Sequence, residues 1–540
     1  MSRERRIELS DTEDLDLSPA RLPWPQRVAA SRHGMVATAH YRATEAAVGI
    51  LSRGGNAVDA AVAAAFALGV CEPAASGLGG QTMMLVHLAR TRRTVALDGS
   101  SRAPNRATPG VLTSASRLRG HTATTVPSTP ATLDYALRTY GTMPLAAVLE
   151  PAISLAEDGF QVTELLSRLL RRELGKLRQR SAGPLLLRAG TRAWLPGQVL
   201  RQPALAKTLR RLAREGIEDF YTGKIGRAIQ RDMQRNGGLL HGDDLAQIPW
   251  PIERRPIGGR FGASRVLTFP PPAAGRTLIE MLNVLAQFPR GRWGPDTPQG
   301  ALILAEIVRR ALRDRRDRPF DPNYYPQIGE RRTLSEEYAR EVSREIRRRV
   351  RRPLTGETTH LSCVDRHGNI VSLTQSIERV FGSMEACPEL GFLYNNYMSA
   401  FEYEDAGHPY YLRPNAAPWA SVAPTIAFRG RRPWVALGSP GSERITSSLL
   451  QVLVRLERQT PYDAVAAPRL HCSLAGKVSL EASRMRDDIP GVLREHGFEI
   501  DEREPWSFYL GCVQLVVEDG GTWIGVADPR RDGSAGGPRN

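Results

Sequence analysis

At Thr358 the texture of the chain changes. Residues 335–352, SEEYAREVSREIRRRVRR, are dense in charge and read as a helix or linker. After them come THLSCVD, a turn over Asp365–Asn369, and IVSLTQSI. Apolar and polar residues alternate on both sides of that turn, which predicts two strands joined as a hairpin. A tight hairpin makes its strands antiparallel neighbours, because parallel strands need a crossover of a dozen or more residues. The chain is therefore neither all-helical nor a simple βαβ repeat.

Other segments fit the same picture. GMVATAHY from Gly34 reads as a strand leading into a helix over Ala43–Leu51. Gly54-Gly55 suits that helix's C-terminal end. Asn56 or Asp59 can cap a second helix over Ala60–Leu68, apolar on most faces and so expected to be buried. Strands are predicted at Met83–Leu88, Thr94–Leu97, Gly391–Tyr394, Thr425–Phe428, Trp434–Leu437, Cys512–Val517 and Thr522–Val526. Helices are predicted at Leu278–Phe288, Ser447–Leu456 and Pro490–His496. Alternating helical and antiparallel-strand signals point to a layered α/β body.

Charge invites a nucleic-acid reading, since the formal net charge is +16. Only four of the 73 basic residues are lysines (Lys176, Lys207, Lys224 and Lys477). A surface selected for phosphate would use both cations, so the arginine excess reads as codon bias. The excess is also uneven: residues 1–357 carry +20 and residues 358–540 carry −4. No nucleic-acid partner is expected.

The first 26 residues are polar, mixed in charge and proline-rich, and read as a flexible tail without a signal-peptide core. The longest apolar run, Ala60–Val70, is too short to span a bilayer. Five widely spaced cysteines (Cys71, Cys363, Cys387, Cys472 and Cys512) show no metal-binding spacing and read as buried thiols in a reducing cytoplasm. No metal, cofactor or membrane partner is expected.

No single motif carries the chemistry. GSPGSER over Gly438–Arg444 is a glycine-rich turn before a helix, but it lacks the Walker spacing and lysine. No dinucleotide fingerprint follows a strand. The combination is more specific. GGNAVDAAVA (Gly54–Ala63), SGLGG (Ser76–Gly80), YGTMPLAAVLEPAISLAEDGF (Tyr140–Phe160), PPPAAG (Pro270–Gly275), TTHLSCVDRHGNIVSLTQSI (Thr358–Ile377), NN (Asn395-Asn396), SVAPTI (Ser421–Ile426), GSPGSERI (Gly438–Ile445), APRLH (Ala467–His471) and ADPRRDGSAGG (Ala527–Gly537) occur in this order. In these stretches the chain resembles the gamma-glutamyltransferase family of N-terminal-nucleophile hydrolases.

That resemblance implies a four-layer αββα sandwich with antiparallel central sheets. It also implies a precursor that cuts itself between Glu357 and Thr358. A large chain (27–357, after the 1–26 tail) and a small catalytic chain (358–540) would remain together as a heterodimer. Thr358 would supply the nucleophilic hydroxyl and its own α-amine as base, the threonine–amine form of covalent catalysis. Ser376 matches the family hydroxyl that hydrogen-bonds the nucleophile. Gly441 and Ser442 match the pair whose N–H groups bind the oxyanion.

The departures cluster in the small-molecule substrate site. The family arginine that grips a substrate carboxylate is Ser100 here. Arg102 lies two residues on, which on a strand returns to the same face. The family asparagine after the partner hydroxyl is Glu378. The residues that hold the substrate amino group are Tyr397 and Ala400. Of a serine pair only Ser421 remains, the first being Ala420. An intact nucleophile with this clamp missing resembles homologues of antibiotic pathways, some of which cleave a carbon–carbon bond. It argues against glutathione. The alternative is a γ-glutamyl enzyme with a rearranged pocket that uses Arg102.

Overall fold

The computed structural model describes residues 26–290, 294–317, 333–346 and 358–539. Residues 1–25 of the predicted tail, Glu357 and the end of the charged segment before it lie outside them.

The predicted hairpin is the centre of one sheet. Thr359–Asp365 pairs antiparallel with Ile370–Ser376, in a register running from Thr359 opposite Gln375 to Val364 opposite Ile370. Asp365 holds the turn: its carboxylate accepts the N–H groups of His367 and Asn369 and the Asn369 side-chain amide. It also accepts the N–H of Ala57, tying the turn to the helix Ala57–Cys71. Asn56 caps that helix and exchanges hydrogen bonds with Asp59 in a capping box.

Five more strands complete this sheet. Its order is Ser534–Gly536, Gly34–Thr38, Thr359–Asp365, Ile370–Ser376, Gln81–Leu88, Arg93–Gly99 and Ile252–Arg254. A second seven-stranded sheet faces it, in the order Val28–Ser31, Thr522–Ala527, Gln514–Asp519, Arg432–Gly438, Thr425–Arg429, Ser264–Thr268 and Ile257–Phe261. Every pair in both sheets is antiparallel.

Strand periodicity separates the layers. Leu361 and Cys363 point outward into a core shared with the helices Tyr41–Ser52 and Ala57–Cys71. His360, Ser362 and Val364 point inward. Val364 packs with Met35, Leu85, Ile426, Phe428 and Val516 between the sheets. The second sheet turns Val266, Ala427, Val435 and Leu515 outward against the helices Gly275–Leu285, Pro298–Asp317 and Arg444–Arg455. The result is an αββα sandwich. Each fully buried aliphatic side chain contributes about 1.5–3 kcal/mol, and a one-residue slip would turn Leu361 and Cys363 off their core, so burial fixes the register.

Two readings need correction. Gly391–Tyr394 is not a strand. It makes only single bridges, at Leu393 to Ala386 and at Tyr394 to Gly79, because the loop crosses the sheet instead of joining it. The strand ends at Gly99, so strand alternation does not set Arg102 on the face of Ser100. It forms an isolated bridge to Val126. All five cysteines are buried free thiols.

Candidate active site

Thr358 directly precedes the strand Thr359–Asp365 and is 3% exposed. Extending the register of Thr359 and Gln375 by one residue sets Thr358 opposite Ser376. By alternation its side chain shares the inward face with His360 and Ser362. Both of these touch the other sheet's neighbourhood: the Ser362 hydroxyl donates to the Gln514 carbonyl at 3.1 Å, and Gly438 lies flat against the His360 ring, where a β-carbon would collide with it. Ser372 donates to the Leu437 carbonyl at 3.1 Å. Passing from Leu437 to Gly438 on one sheet corresponds to passing from Ser362 to His360 on the other. Continuing in that direction reaches Gly441 on one side and Thr358 on the other, so both lie at the same end of the sandwich.

His360 is a framework residue, as is Thr359. The His360 imidazole is shared between Thr374 at 2.8 Å and Ser362 at 3.1 Å, and burial lowers its pKa to about 3. It is neutral at physiological pH and unsuited to be a proton acceptor for Thr358. The Thr359 hydroxyl points to the opposite face and donates to Glu72 at 2.5 Å.

The glycine-rich turn is built to present N–H groups. Gly441 has φ +119° and Ser442 has φ +52°. Neither backbone N–H finds an acceptor among the described residues. The turn is braced from behind: Ser439 accepts from Cys512 N–H at 2.9 Å and donates to the Pro440 carbonyl at 2.7 Å. Two backbone N–H groups without an acceptor among the described residues, on a buried turn, are what an oxyanion site requires. Glu378, Phe381 and Met384 also have positive φ. Such strain persists where surrounding structure over-determines it, and it concentrates at functional sites.

The predicted substrate residues divide into two groups. Glu378, Tyr397, Ala400 and the Ala420–Ser421 segment come together. The Glu378 N–H donates to the Ser376 hydroxyl at 2.8 Å. The buried Tyr397 phenol lies against Ser376 and Gln81; burial raises its pKa, and Glu378 adds to that. The Trp419 N–H donates to the Ala400 carbonyl at 3.2 Å. Ser100 and Arg102 follow the end of the strand Arg93–Gly99, and Ser101 between them donates to Gln81, beside Tyr397. Ser100 is spent on the framework, its hydroxyl donating to Asp98 at 2.6 Å, and Asp98 is paired with Arg254 at 2.6 Å. The Arg102 guanidinium makes no hydrogen bond or ion pair among the described residues, and its charged neighbours are Asp98 and Arg254.

One residue escaped sequence reading. Arg315, on the helix Pro298–Asp317, is 7% exposed and donates to the Ala420 carbonyl at 2.6 Å. Its guanidinium stacks over the Trp419 ring at 4.5 Å. Only the helical repeat distinguishes it from Arg309, Arg310, Arg313 and Arg316 beside it.

Burial pushes the Glu378 carboxyl up to about 7, with Arg379 and Arg315 drawing it back. A folded-state value above the ordinary 4.5 means that folding favours the protonated acid. That stabilisation is complete below about pH 4.5 and is lost as pH rises through about 7. The melting temperature is therefore expected to fall less steeply between pH 5 and 8 in Glu378→Gln than in the wild type. Parallel curves would remove Glu378 from this role.

Known proteins resemble the chain in sequence and fold. The family model described as gamma-glutamyltranspeptidase matches residues 43–537. The glutathione hydrolase proenzyme of Escherichia coli K12 is 32% identical, over 93% of this chain and 91% of its own length. The acylase ACY 1 proenzyme of Pseudomonas sp. strain SE83 is 34% identical, over 94% of each. Among solved structures, the cephalosporin acylase of Bacillus halodurans superposes with a TM-score of 0.88 at 29% identity, covering 97% of this chain and 99% of that one. No described helix is long and apolar enough to cross a membrane. With the family model matching residues 43–537 and the sandwich superposing on a solved relative, the chain belongs to the gamma-glutamyltranspeptidase family and is an enzyme of the N-terminal-nucleophile hydrolase type.

Proposed function

We propose that this protein is a self-cleaving hydrolase that works through an acyl ester on Thr358 and takes an amide other than glutathione, in secondary metabolism of the kind that makes antibiotics. The observation that carries the reading is a pairing of opposites. Thr358 faces the end of the sandwich where Gly441 and Ser442 hold free N–H groups, while Ser100, at the family's carboxylate-gripping position, is bonded to Asp98.

The same hydroxyl serves maturation and turnover. In maturation the Thr358 hydroxyl adds to the Glu357 carbonyl, the Glu357–Thr358 C–N bond breaks, and an ester with a free amine remains. Water opens that ester, leaving residues 1–357 and 358–540. In turnover the Thr358 amine, with an ordinary value of about 7.7–8.0, accepts the hydroxyl proton as Thr358 attacks the substrate carbonyl. The proton passes to the departing amine. Water, deprotonated by the same amine, then releases the acid. Gly441 and Ser442 hold the oxyanion in both halves of the reaction.

The two chains would stay together through their backbones. Both sheets contain strands from before residue 357 hydrogen-bonded to strands from after residue 358. Ion pairs also cross between the halves, such as Arg180–Glu385 and Arg531–Glu72, at 2.8 and 3.1 Å. Five buried free thiols fit a cytoplasmic enzyme.

A γ-glutamyl enzyme using Arg102 is the second reading, favoured by that side chain's freedom from partners. Assay of γ-glutamyl-p-nitroanilide separates the two. The expected result is kcat/KM at least about 100-fold below that for a preferred acyl anilide, since losing a bidentate arginine–carboxylate pair costs on the order of 3 kcal/mol. A preference for the γ-glutamyl anilide, abolished by Arg102→Gln, would establish the second reading.

A further inference from the structure

The strand Thr359–Asp365 is paired unevenly. Its partner Ile370–Ser376 runs beside it as far as Thr359, opposite Gln375. On its other side Gly34–Thr38 stops at Thr38, opposite Leu361. Among the described strands, the residues next to Thr358 therefore have a neighbour on one side only. A side chain supplies a further tie. The Thr359 hydroxyl donates to one oxygen of the Glu72 carboxylate at 2.5 Å, and the other oxygen accepts from the Arg531 guanidinium at 3.1 Å. A hydrogen bond to an ionised acceptor is roughly twice as strong as a neutral one. Glu72 follows the helix Ala57–Cys71, and its N–H donates to the Leu68 carbonyl at 2.8 Å. The turn it begins also reaches the partner strand. The Ile377 N–H donates to the Ala75 carbonyl at 3.2 Å, and the Phe381 N–H to the Ala74 carbonyl at 2.9 Å. One turn, residues 72–75, thus holds both the residue after Thr358 and the residue after Ser376. A cavity of about 370 Å³ borders Glu72, Ala74, Ala75 and Arg531. Close packing does not fix the carboxylate from that side, so its hydrogen bonds do.

We propose that Glu72 is a positioning residue: through the Thr359 hydroxyl it fixes the start of the strand, so that the Thr358 hydroxyl stays aimed at the carbonyl it attacks. This rests on the acyl-ester reading above. After cleavage Thr358 is a chain end, held by the strand through Thr359. Glu72 belongs to residues 1–357, while Thr359 and Arg531 belong to residues 358–540, so the tie also crosses between the two chains. A chain end that swings spends less time in the geometry of attack, which lowers kcat while substrate binding elsewhere is kept.

The test removes only the hydroxyl. Thr359→Val keeps the branched shape that suits a strand and leaves the Glu72–Arg531 pair in place. For a preferred acyl anilide, kcat of Thr359→Val protein is expected to fall by about 10-fold or more with KM within about 3-fold of the wild type. Thr359→Ser restores the donor and returns kcat to within about 3-fold of the wild type. Where cleavage of the Thr359→Val precursor itself stalls, its recovery in Thr359→Ser carries the same meaning. Glu72→Ala loses the same hydrogen bond, so the Glu72→Ala, Thr359→Val double variant is no slower than the slower single variant. Unchanged kcat in Thr359→Val, a loss that Thr359→Ser does not rescue, or losses that multiply in the double variant overturns the proposal. The acyl-ester reading survives each of these results as long as Thr358→Ala protein is inactive. Turnover by Thr358→Ala protein removes that reading and this proposal with it. Should Glu72→Ala protein fail to fold, Thr359→Val and Thr359→Ser decide the matter alone.

Discussion

Thr358→Ala protein runs as one full-length chain on a denaturing gel, while the wild type resolves into residues 1–357 and 358–540, and the variant turns over no acyl anilide. The expected effect is total for cleavage and at least about 10⁴-fold for turnover, because the substitution removes the only atom that forms the covalent intermediate. The fold should survive. Thr358 precedes the strand, and the register from Thr359 onward, with its outward core of Leu361 and Cys363, is untouched. Matching far-ultraviolet circular dichroism spectra of the variant and the cleaved wild type would show this. Thr358→Ser retains the hydroxyl and is expected to cleave, though more slowly. Two chains from Thr358→Ala would remove Thr358 from the maturation step altogether.

Gly441→Ala is expected to lower kcat by about 100- to 1,000-fold with little change in KM, the usual cost of losing one oxyanion donor. Its φ of +119° is a conformation that side chains rarely adopt, and a β-carbon would press on Gly511 at 3.2 Å. The turn must therefore rotate, and its N–H leaves the position that faces Thr358. Ser442→Ala is the control. Its contribution is the backbone N–H, so kcat should stay within several-fold of the wild type. A large loss in Ser442→Ala together with a small loss in Gly441→Ala would mean that the Ser442 hydroxyl, and not the turn's N–H groups, does the chemistry.

How much of this was legible in the sequence depended on how local the signal was. The hairpin from Thr359 to Ser376 was readable because alternation and the Asp365–Asn369 turn both lie within twenty residues. The buried helix Ala57–Cys71 was readable from its composition and its Asn56 cap. Edge strands were not. Val28–Ser31 and Ser534–Gly536 are short and small in side chain, and only their partners make them strands. Ile257–Phe261 contains Gly258 and Gly259, which strand propensity disfavours. In the site, the hairpin register sets Thr358 opposite Ser376, and the turn with Gly441 and Ser442 follows the strand Arg432–Gly438. The substrate-binding residues did not all follow sequence position. Ser100 is a framework residue, and Arg315 emerged only when a helix from the other layer placed it against Ala420. Arg309 on the same helix is buried as well, so the sequence pattern alone did not mark Arg315 as the arginine that meets Ala420.

The central claim is that substrate acyl groups pass through the Thr358 hydroxyl. It is tested most directly by acid-quenching the wild-type enzyme during turnover of a slow acyl anilide and measuring the intact mass of chain 358–540. The predicted result is a mass increase equal to the acyl group, confined to the N-terminal peptide at Thr358 and removed by hydroxylamine as an ester. Substrate consumption with no mass increase on that chain, or with the acyl group on any other residue, would contradict it.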